Sequence, residues 1–523
     1  MNPTTSRHLA LAAALVASGN VLSRLLGLIR EPVIAALFGA SGNADAFEVA
    51  SRLPQMVHDL VIGGAVSGVL IPLFSEITSD NQRLTRAFTA LLASVGVALL
   101  GVVGLLMLLA EPIVSLAAPG LPESTQATAV TMTRITMPGV LFLGISAITA
   151  ARLYAGNKFT APSLAPATLN GTMIVLALSL TPVVGPTGVA LGYLAGTVAH
   201  LLVQIPALIR ARTRIGWPRW TENSDATRAL RLYLPIAGGL VVTQALVIVD
   251  TNLASQTGEG SLAIMRFATR LQQFPLGLIG SAIALAFLPV LARSAPTTSQ
   301  ALRTATAFKH GVVTAGRSAL LLMVPVTIIM VLFSSSIVRA VYERGAFDAT
   351  ATEATSLALL IYAIQLPLTV LDQVFISAYY ASRNTRTPVL VGIASGGIYL
   401  VTALTLTQTY GLYGLVTANT VQNIFHAILL GILLWRRIGG LQGRGLGVFA
   451  AQVSAAGLLA GLVGFGAREL LASVEGPQAD SGWTSLIIPA TTVITSYGAI
   501  LWTFRIPELP ALARLLRNWR QSV

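Results

Sequence analysis

The chain has 523 residues, of which 54% are apolar and only 10% charged, and its mean hydropathy is +0.75. Soluble globular proteins carry about 25% charged residues, so the composition argues against a cytosolic enzyme with a membrane anchor. Thirty-three Lys and Arg against 20 Asp and Glu leave a formal charge of +13. In a soluble chain that excess would point to nucleic acid, whereas in a polytopic membrane protein it would mark the cytoplasmic loops. Cysteine is absent, which removes disulfides, thiolate chemistry and cysteine-ligated metals.

A bilayer core of about 30 Å needs roughly 20 apolar residues per helix. Runs of that kind predict fourteen helices, near 9–29, 45–74, 88–110, 132–154, 164–180, 189–209, 230–255, 263–291, 312–333, 357–380, 389–407, 412–435, 447–466 and 486–504. The first run has a polar start and no small-residue cleavage site, so it reads as a retained helix and not as a signal peptide. The second and eighth are long, and each carries a proline, Pro54 or Pro275, where a kink or break is expected.

Loop charge sets the expected orientation. The N-terminus, the even-numbered loops and the C-terminus hold 24 basic residues, among them Arg83, Arg86, Arg152, Lys158, the cluster Arg210, Arg212, Arg214 and Arg219, and Arg303, Lys309, Arg317, Arg436, Arg437 and Arg444. The odd-numbered loops and their edges hold Arg134, Arg339, Arg344 and Arg468. The positive-inside rule then puts both termini in the cytoplasm, and the nucleic-acid reading falls.

The chain repeats itself. SRLPQ (51–55) matches TRLQQ (269–273), YAGNKFTAP (154–162) matches YASRNTRTP (380–388), and the glycines of GPTG (185–188) match those of GLYG (411–414). Six helices per unit make this a parallel repeat about an axis along the membrane normal, the plan of a two-lobed carrier with its site between the lobes. The expected fold is therefore an all-α polytopic membrane protein of about fourteen transmembrane helices. It has two six-helix lobes, 1–215 and 216–440, and two extra helices within 441–506. In the tail, 507–523, Leu512, Leu515, Leu516 and Trp519 share one helical face and Arg514, Arg517 and Arg520 the other. This suits a helix lying on an anionic leaflet and equally a solvated basic tail.

Catalytic motifs are missing. There is no GxxxxGK[ST] loop, no HExxH, and the five histidines, His8, His58, His200, His310 and His426, lack ligand spacing. Neither a metal nor another cofactor is expected, and the chain reads as a transporter without an ATPase motif. Five arginines stand inside apolar runs instead: Arg24, Arg30, Arg52, Arg266 and Arg270. Each costs on the order of 3 kcal/mol at mid-bilayer, so such residues usually face a cavity. At 1.5 Å per residue, Arg24, Arg52 and Arg270 share one level roughly 10 Å below the outer face. Guanidinium forks from both lobes would suit a multiply charged phosphate or carboxylate. Glu48 and Arg52 are also spaced i,i+4 in the order that favours an intrahelical ion pair, and Arg30 adjoins Glu31 at a possible water interface. Asp45, Glu48, Arg52, Gln55 and Asp59 form a polar stripe along helix 2, with His58 beside it. Asp250, near the outer end of helix 7, reads either as a cation site or as an interface acid.

The stretch SRLLGLIREPVIAALFGASGNADAFEVASRLPQMVHDLVIGGAVSGVLIPLFSE (23–76) resembles the opening of the MurJ/MviN lipid II flippases, within the multidrug/oligosaccharidyl-lipid/polysaccharide exporter superfamily. RFATRLQQFPLGLIGSAIALAFLPVLAR (266–293), YERGAFDATAT (342–352) and SAYYASRNTRTPV (377–389) resemble later blocks of the same family. The resemblance implies fourteen helices, a cationic cavity between two lobes, and a groove on helices 13 and 14 for the lipid tail. It also implies alternation between inward- and outward-facing states that carries the lipid-linked peptidoglycan precursor outward across the bacterial cytoplasmic membrane. Ser23, Arg24 and Arg30 match the family's first-helix polar set, Asp45 its acid, Arg270 its helix 8 arginine, and Asp250 a helix 7 acid tied to cation binding in some members.

With Arg52, Gln55, His58, Arg266 and Gln273 these make the expected substrate-binding set, with Asp250 as the ion-coupling residue. Departures occur at His58, Gln55, Thr269, Gln273, Tyr399 and Ala403, and they weigh against sodium coupling and strict lipid II specificity. The implied partners are lipid II or a related undecaprenyl-diphosphate glycolipid, membrane lipids and cell-wall synthesis proteins. An exporter of another lipid-linked glycan and a non-transporting cell-wall scaffold remain the rival readings.

Overall fold

The structure, a computed structural model, describes residues 3–62, 66–211, 216, 224–295, 305–440, 445–475 and 483–506. The amphipathic tail at 507–523 lies outside the described residues, as do Arg212, Arg214, Arg219, Arg303 and Arg444. Contacts divide the chain into one unit of Met1–Ala263 with Arg344–Phe347 and a second of Ile264–Glu343 with Asp348–Val523.

The first unit holds α1 (Pro3–Phe38), α2 (Gly42–Ile62), a π-helical turn (Val66–Leu70), α3 (Ile71–Glu76), α4 (Asn81–Leu108), α5 (Ala110–Ala117), α6 (Glu123–Thr136), α7 (Gly139–Ala155), α8 (Thr160–Val184), α9 (Thr187–Leu202), α10 (Ile205–Arg210) and α11 (Ser224–Ser255). Helix α12 (Ser261–Ser294) starts at the division between units. The second unit continues with α13 (Thr306–Leu332), α14 (Ser334–Tyr342), α15 (Ala349–Ile364), α16 (Leu366–Ala381), α17 (Arg386–Ile438), α18 (Leu446–Glu475) and α19 (Thr484–Thr503). No strand occurs among the described residues.

The fourteen apolar runs are helical over most of their described residues, with turns at Leu109, Met137 and Pro138, Val203 and Gln204, Phe333, Gln365 and Phe504. Among the described residues, eight helical stretches are long and apolar enough to cross a membrane, or ten if the bent pairs within α12 and at α15–α16 each count as one span. Their outward faces are apolar: on α4, Val97, Leu100, Leu105 and Leu108 are all more than half exposed. Continuous exposed apolar surface of this kind is unfavourable in water and fits lipid.

The sequence repeat is a backbone repeat. Asn157 and Arg383, 226 residues apart, both have positive φ, 57° and 55°. The same capping bonds surround them: Asn157 and Lys158 donate N–H bonds to the carbonyls of Tyr154 (3.0 Å) and Leu153 (2.8 Å), and Arg383 and Asn384 donate to those of Tyr380 (2.9 Å) and Tyr379 (2.9 Å). Such a bond pair closes off the last carbonyls of a helix. The matched glycines behave alike. Gly185 (φ 70°, ψ −156°) ends α8, and Gly411 (φ 54°, ψ −130°) interrupts α17, so that α17 is two helices joined at a tight corner. A Cβ on Gly188 would stand 2.5 Å from the backbone N of Thr181, and one on Gly414 2.8 Å from that of Thr407. The first glycine of each motif therefore makes the turn, and the second lets the returning helix touch the one before it.

The irregularities of the two long helices do not fall where the sequence led us to expect. Helix α2 runs unbroken through Pro54, and the π-helical turn comes later, at Val66–Leu70, directly before Pro72. Helix α12 bends by 42° between Ser261–Ile283 and Ala286–Ser294, past Pro275 and ahead of Pro289. A proline ring displaces the carbonyl four residues before it. For Pro72 that carbonyl belongs to Gly68, and for Pro289 to residue 285, within each observed irregularity.

Helix α18 is held by small residues. Cβ atoms on Gly457 and Gly461 would lie 2.7 Å and 2.8 Å from Val324 and Ile328 of α13, and Gly464 faces Pro489 and Val493 of α19. Close backbone approach replaces the hydrophobic driving force that lipid cannot supply. Arg317 of α13 lies over the ring of Phe449 at 5.0 Å.

Candidate functional site

Arg52 sits at the centre of a charged cluster in the first unit. One turn earlier on α2, Glu48 meets its Nη2 at 2.8 Å, the pair that the i,i+4 spacing predicts. Helix α11 supplies Asp250, whose Oδ2 lies 3.6 Å from Nη1, and Thr251, whose Oγ1 accepts from Nη1 at 2.9 Å. The Arg52 side chain keeps 28% of its surface exposed, against 8% for Glu48. The cation is thus held by two carboxylates and keeps part of its surface exposed.

Ser23 and Arg30 belong to a second group. Arg30 donates to Glu31 Oε1 from Nη2 at 2.6 Å and to Asn170 Oδ1 of α8 from Nη1 at 3.0 Å. Asn170 in turn donates to the Ser23 carbonyl at 3.3 Å. Arg24, beside Ser23, is exposed. On the last turns of α2, Gln55 Nε2 donates to Asp59 Oδ1 at 2.7 Å, and His58 Nδ1 approaches the same oxygen at 3.2 Å. His58 is therefore a partly buried, hydrogen-bonded side chain.

Asp45 is fully buried. Its Oδ2 accepts from the Gly260 N–H at 2.6 Å and its Oδ1 from the Ala263 N–H at 2.8 Å, at the first turn of α12. A helix start has free N–H groups and a positive end, and a carboxylate satisfies both. Glu259 does the same for α2, accepting from the Gly42 N–H at 2.8 Å. In this structure both Asp45 oxygens are occupied by backbone.

In the second unit, Arg270 and Gln273 are exposed, and Nη1 of Arg270 donates to Gln273 Oε1 at 3.4 Å. Arg266, one turn earlier, is 6% exposed. Of the expected residues, then, the structure joins Arg52 to Asp250, Arg30 to Ser23 through Asn170, Gln55 to His58 through Asp59, and Arg270 to Gln273. Sequence reasoning passed over Asn170, Thr251 and Glu259. Asn170 left a signal as the one amide in the run 164–180. No group of three or more potential metal ligands occurs among the described residues.

The family model for lipid II flippase MurJ matches residues 34–475. The chain is 32% identical over 437 residues to a probable lipid II flippase MurJ of Rhizobium meliloti (strain 1021), covering 81% of this chain and 80% of that one. It is 30% identical over 475 residues to the lipid II flippase MurJ of Burkholderia cenocepacia, covering 86% and 89%. Among solved structures, a lipid II flippase MurJ in an inward closed conformation superposes with a TM-score of 0.78 at 23% identity, covering 94% of this chain and 98% of that one. An inward-facing multidrug resistance MATE transporter of the MOP superfamily gives 0.66 at 15% identity, covering 80% and 94%. At these identities the structural matches speak to the fold.

Proposed function

The chain belongs to the MurJ family of lipid II flippases, and on that premise we propose that it moves an undecaprenyl-diphosphate-linked disaccharide-peptide, lipid II, from the inner to the outer leaflet of the bacterial cytoplasmic membrane. The observation that carries this reading is the family match across 34–475, which contains Arg52 and Arg270 in apolar helices where a charge is costly. Arg24, Arg52 and Arg270 hold the diphosphate, since paired guanidinium forks match phosphate oxygens. Ser23, Arg30, Gln55, His58, Arg266 and Gln273 line the path, and Asp45 serves it by fixing the start of α12. The topology we propose has fourteen crossings, both termini in the cytoplasm, lobes at 1–215 and 216–440, a lipid-tail groove on the two helices within 441–506, and the basic tail on the inner leaflet. Transport proceeds by alternating access, driven by the membrane potential or an ion gradient, with Asp250 as a coupling residue and cell-wall synthesis proteins as partners.

Replacing Arg24, Arg52 and Arg270 together by alanine should abolish complementation of a flippase-depleted strain while the protein remains in the membrane. Normal growth would overturn the proposal and favour a scaffold. The lipid intermediate that accumulates on depletion identifies the glycan, and a species other than lipid II would reassign the substrate.

A further inference from the structure

The 226-residue repeat also pairs two partly buried histidines. In the first unit His200 of α9 meets Ser146 of α7, Nδ1 to Oγ at 2.7 Å. In the second unit His426 of α17 meets Asp372 of α16, Nδ1 to Oδ1 at 2.8 Å. His426 and Asp372 occupy the repeat positions of His200 and Ser146, so the same repeat contact carries a neutral hydroxyl in one unit and a carboxylate in the other.

The surroundings diverge in the same direction. Around Ser146 the polar network extends, Gln204 donating to Ser146 Oγ and Thr149 donating to Gln204 Oε1 at 2.9 Å. The repeat positions of Gln204 and Thr149 in the second unit are Leu430 and Phe375, both buried in an apolar cluster. Asp372 lies nine residues from the end of α16 and His426 twelve from the end of α17, about 14 and 18 Å into the helical span. An ionisable pair at that depth is costly unless it has a use. The two side chains nevertheless keep 15% and 16% of their surface exposed.

The helices packed around the pair carry other charges. Arg317 of α13 is beside Gly316, which faces Leu371, but its guanidinium covers Phe449. Lys309 and His310 are two turns further along α13. Helix α12 meets α16 where Gly280 faces Gln373, about 15 Å along the helix from Arg270 and about 20 Å from Arg293. Arg437 and Arg436 lie at the end of α17, the former over Tyr379 at 5.8 Å. Glu353 and Arg386 are at the starts of α15 and α17.

We propose that Asp372 and His426 form a proton-binding site that couples transport to a proton gradient. The ligand is a hydron. An ionised carboxylate only accepts, so Nδ1–H of the neutral imidazole donates to Asp372, Nε2 takes the proton, and the Pro388 carbonyl beside the ring accepts a hydrogen bond from the imidazolium. The pair goes from a net charge of −1 to an imidazolium–carboxylate pair of net zero, and no other bond forms or breaks. The unprotonated pair favours a state in which water reaches it, and the protonated pair tolerates closure. Release of the same proton from Nε2 on the other side completes the exchange. Ser146 and His200, lacking the carboxylate, hold their helices together without exchanging a proton.

This site rests on the flippase reading, and the test separates the two. The purified protein in lipid nanodiscs is titrated by infrared spectroscopy between about pH 5 and 8. An imidazole titration is expected that disappears in His426→Gln and moves in Asp372→Ser, the change that copies the first unit's pair and keeps a hydrogen bond. In proteoliposomes, transport of the lipid-linked glycopeptide should rise several-fold under an imposed pH gradient in the wild type and lose that rise in both variants. A wild type with no such titration, or a gradient response that survives in the variants, overturns the proposal. Should one variant fail to fold, the other decides, since the four further histidines make a variant necessary to assign the signal to His426. A wild type that titrates at this pair but moves no lipid-linked glycan under any gradient overturns the flippase reading and leaves the site standing.

Discussion

Arg52 and Asp250, 198 residues apart in the chain, face each other across 3.6 Å, and Glu48 closes the opposite side of the same guanidinium at 2.8 Å. A diphosphate that binds Arg52 must therefore share it with two carboxylates, and the strength of that sharing sets how readily the substrate leaves.

Replacing Arg52 by alanine leaves Glu48 and Asp250 as neighbouring uncompensated charges. Losing one partner of a fully buried pair costs about 3–5 kcal/mol, and the exposure of Arg52 reduces this to about 1–2 kcal/mol. The melting temperature of Arg52→Ala should fall and should recover in Arg52→Ala/Glu48→Gln, whereas transport should recover in neither. Recovery of transport in the double variant would assign Arg52 a purely structural duty.

Asp45→Asn replaces an oxygen that accepts the Gly260 or Ala263 N–H by an amide nitrogen that cannot. A buried donor left without a partner costs about 1–3 kcal/mol. Thermal melting in detergent should show that loss, and Gln55→Ala, at an exposed position on the same helix, should leave stability within about 0.5 kcal/mol.

Gly185 and Gly411 have open space around them, so alanine there meets no clash, only a positive φ. Positive φ with ψ of −156° or −130° is a region open essentially only to glycine, and the backbone cost of alanine there is about 1–3 kcal/mol each. Gly188→Ala and Gly414→Ala bring a Cβ against backbone that cannot rotate away, and their melting temperatures should fall further than those of their motif partners. Equal losses at all four positions would refute the division of labour within each motif.

Gly461→Leu should separate α18 from Ile328 and Leu332 of α13. Cysteine crosslinking between α18 and α13 would weaken, while crosslinking between α7 and α9 in the first unit would stay as in the wild type.

Much of this molecule was readable from spacing along the chain. The apolar runs located its helices, because a helix that faces lipid must be apolar over its whole length. The repeat was visible because Gly185, Gly188, Gly411 and Gly414 have no substitute in the backbone geometry they make. Glu48–Arg52 and Arg30–Glu31 were legible because both partners lie within one turn of a single helix. The bends were placed one proline too early in each long helix. Pro54 and Pro275 looked equivalent to Pro72 and Pro289 in the sequence, and which proline distorts its helix depends on how the neighbours accommodate the displaced carbonyl.

What the sequence by itself determined is the set of costly residues: arginines, acids and histidines in segments too apolar to hold them without reason. Only the tertiary structure decided their partners. Asp250 and Thr251 reach Arg52 from α11, Asn170 bridges Ser23 and Arg30 from α8, Asp45 takes the free N–H groups at the start of α12, and Asp372 meets His426. The physical reason is range. Periodicity specifies which face of a helix a side chain occupies, but a hydrogen bond or an ion pair spans about 3 Å, and which two faces come that close is set by how the helices pack.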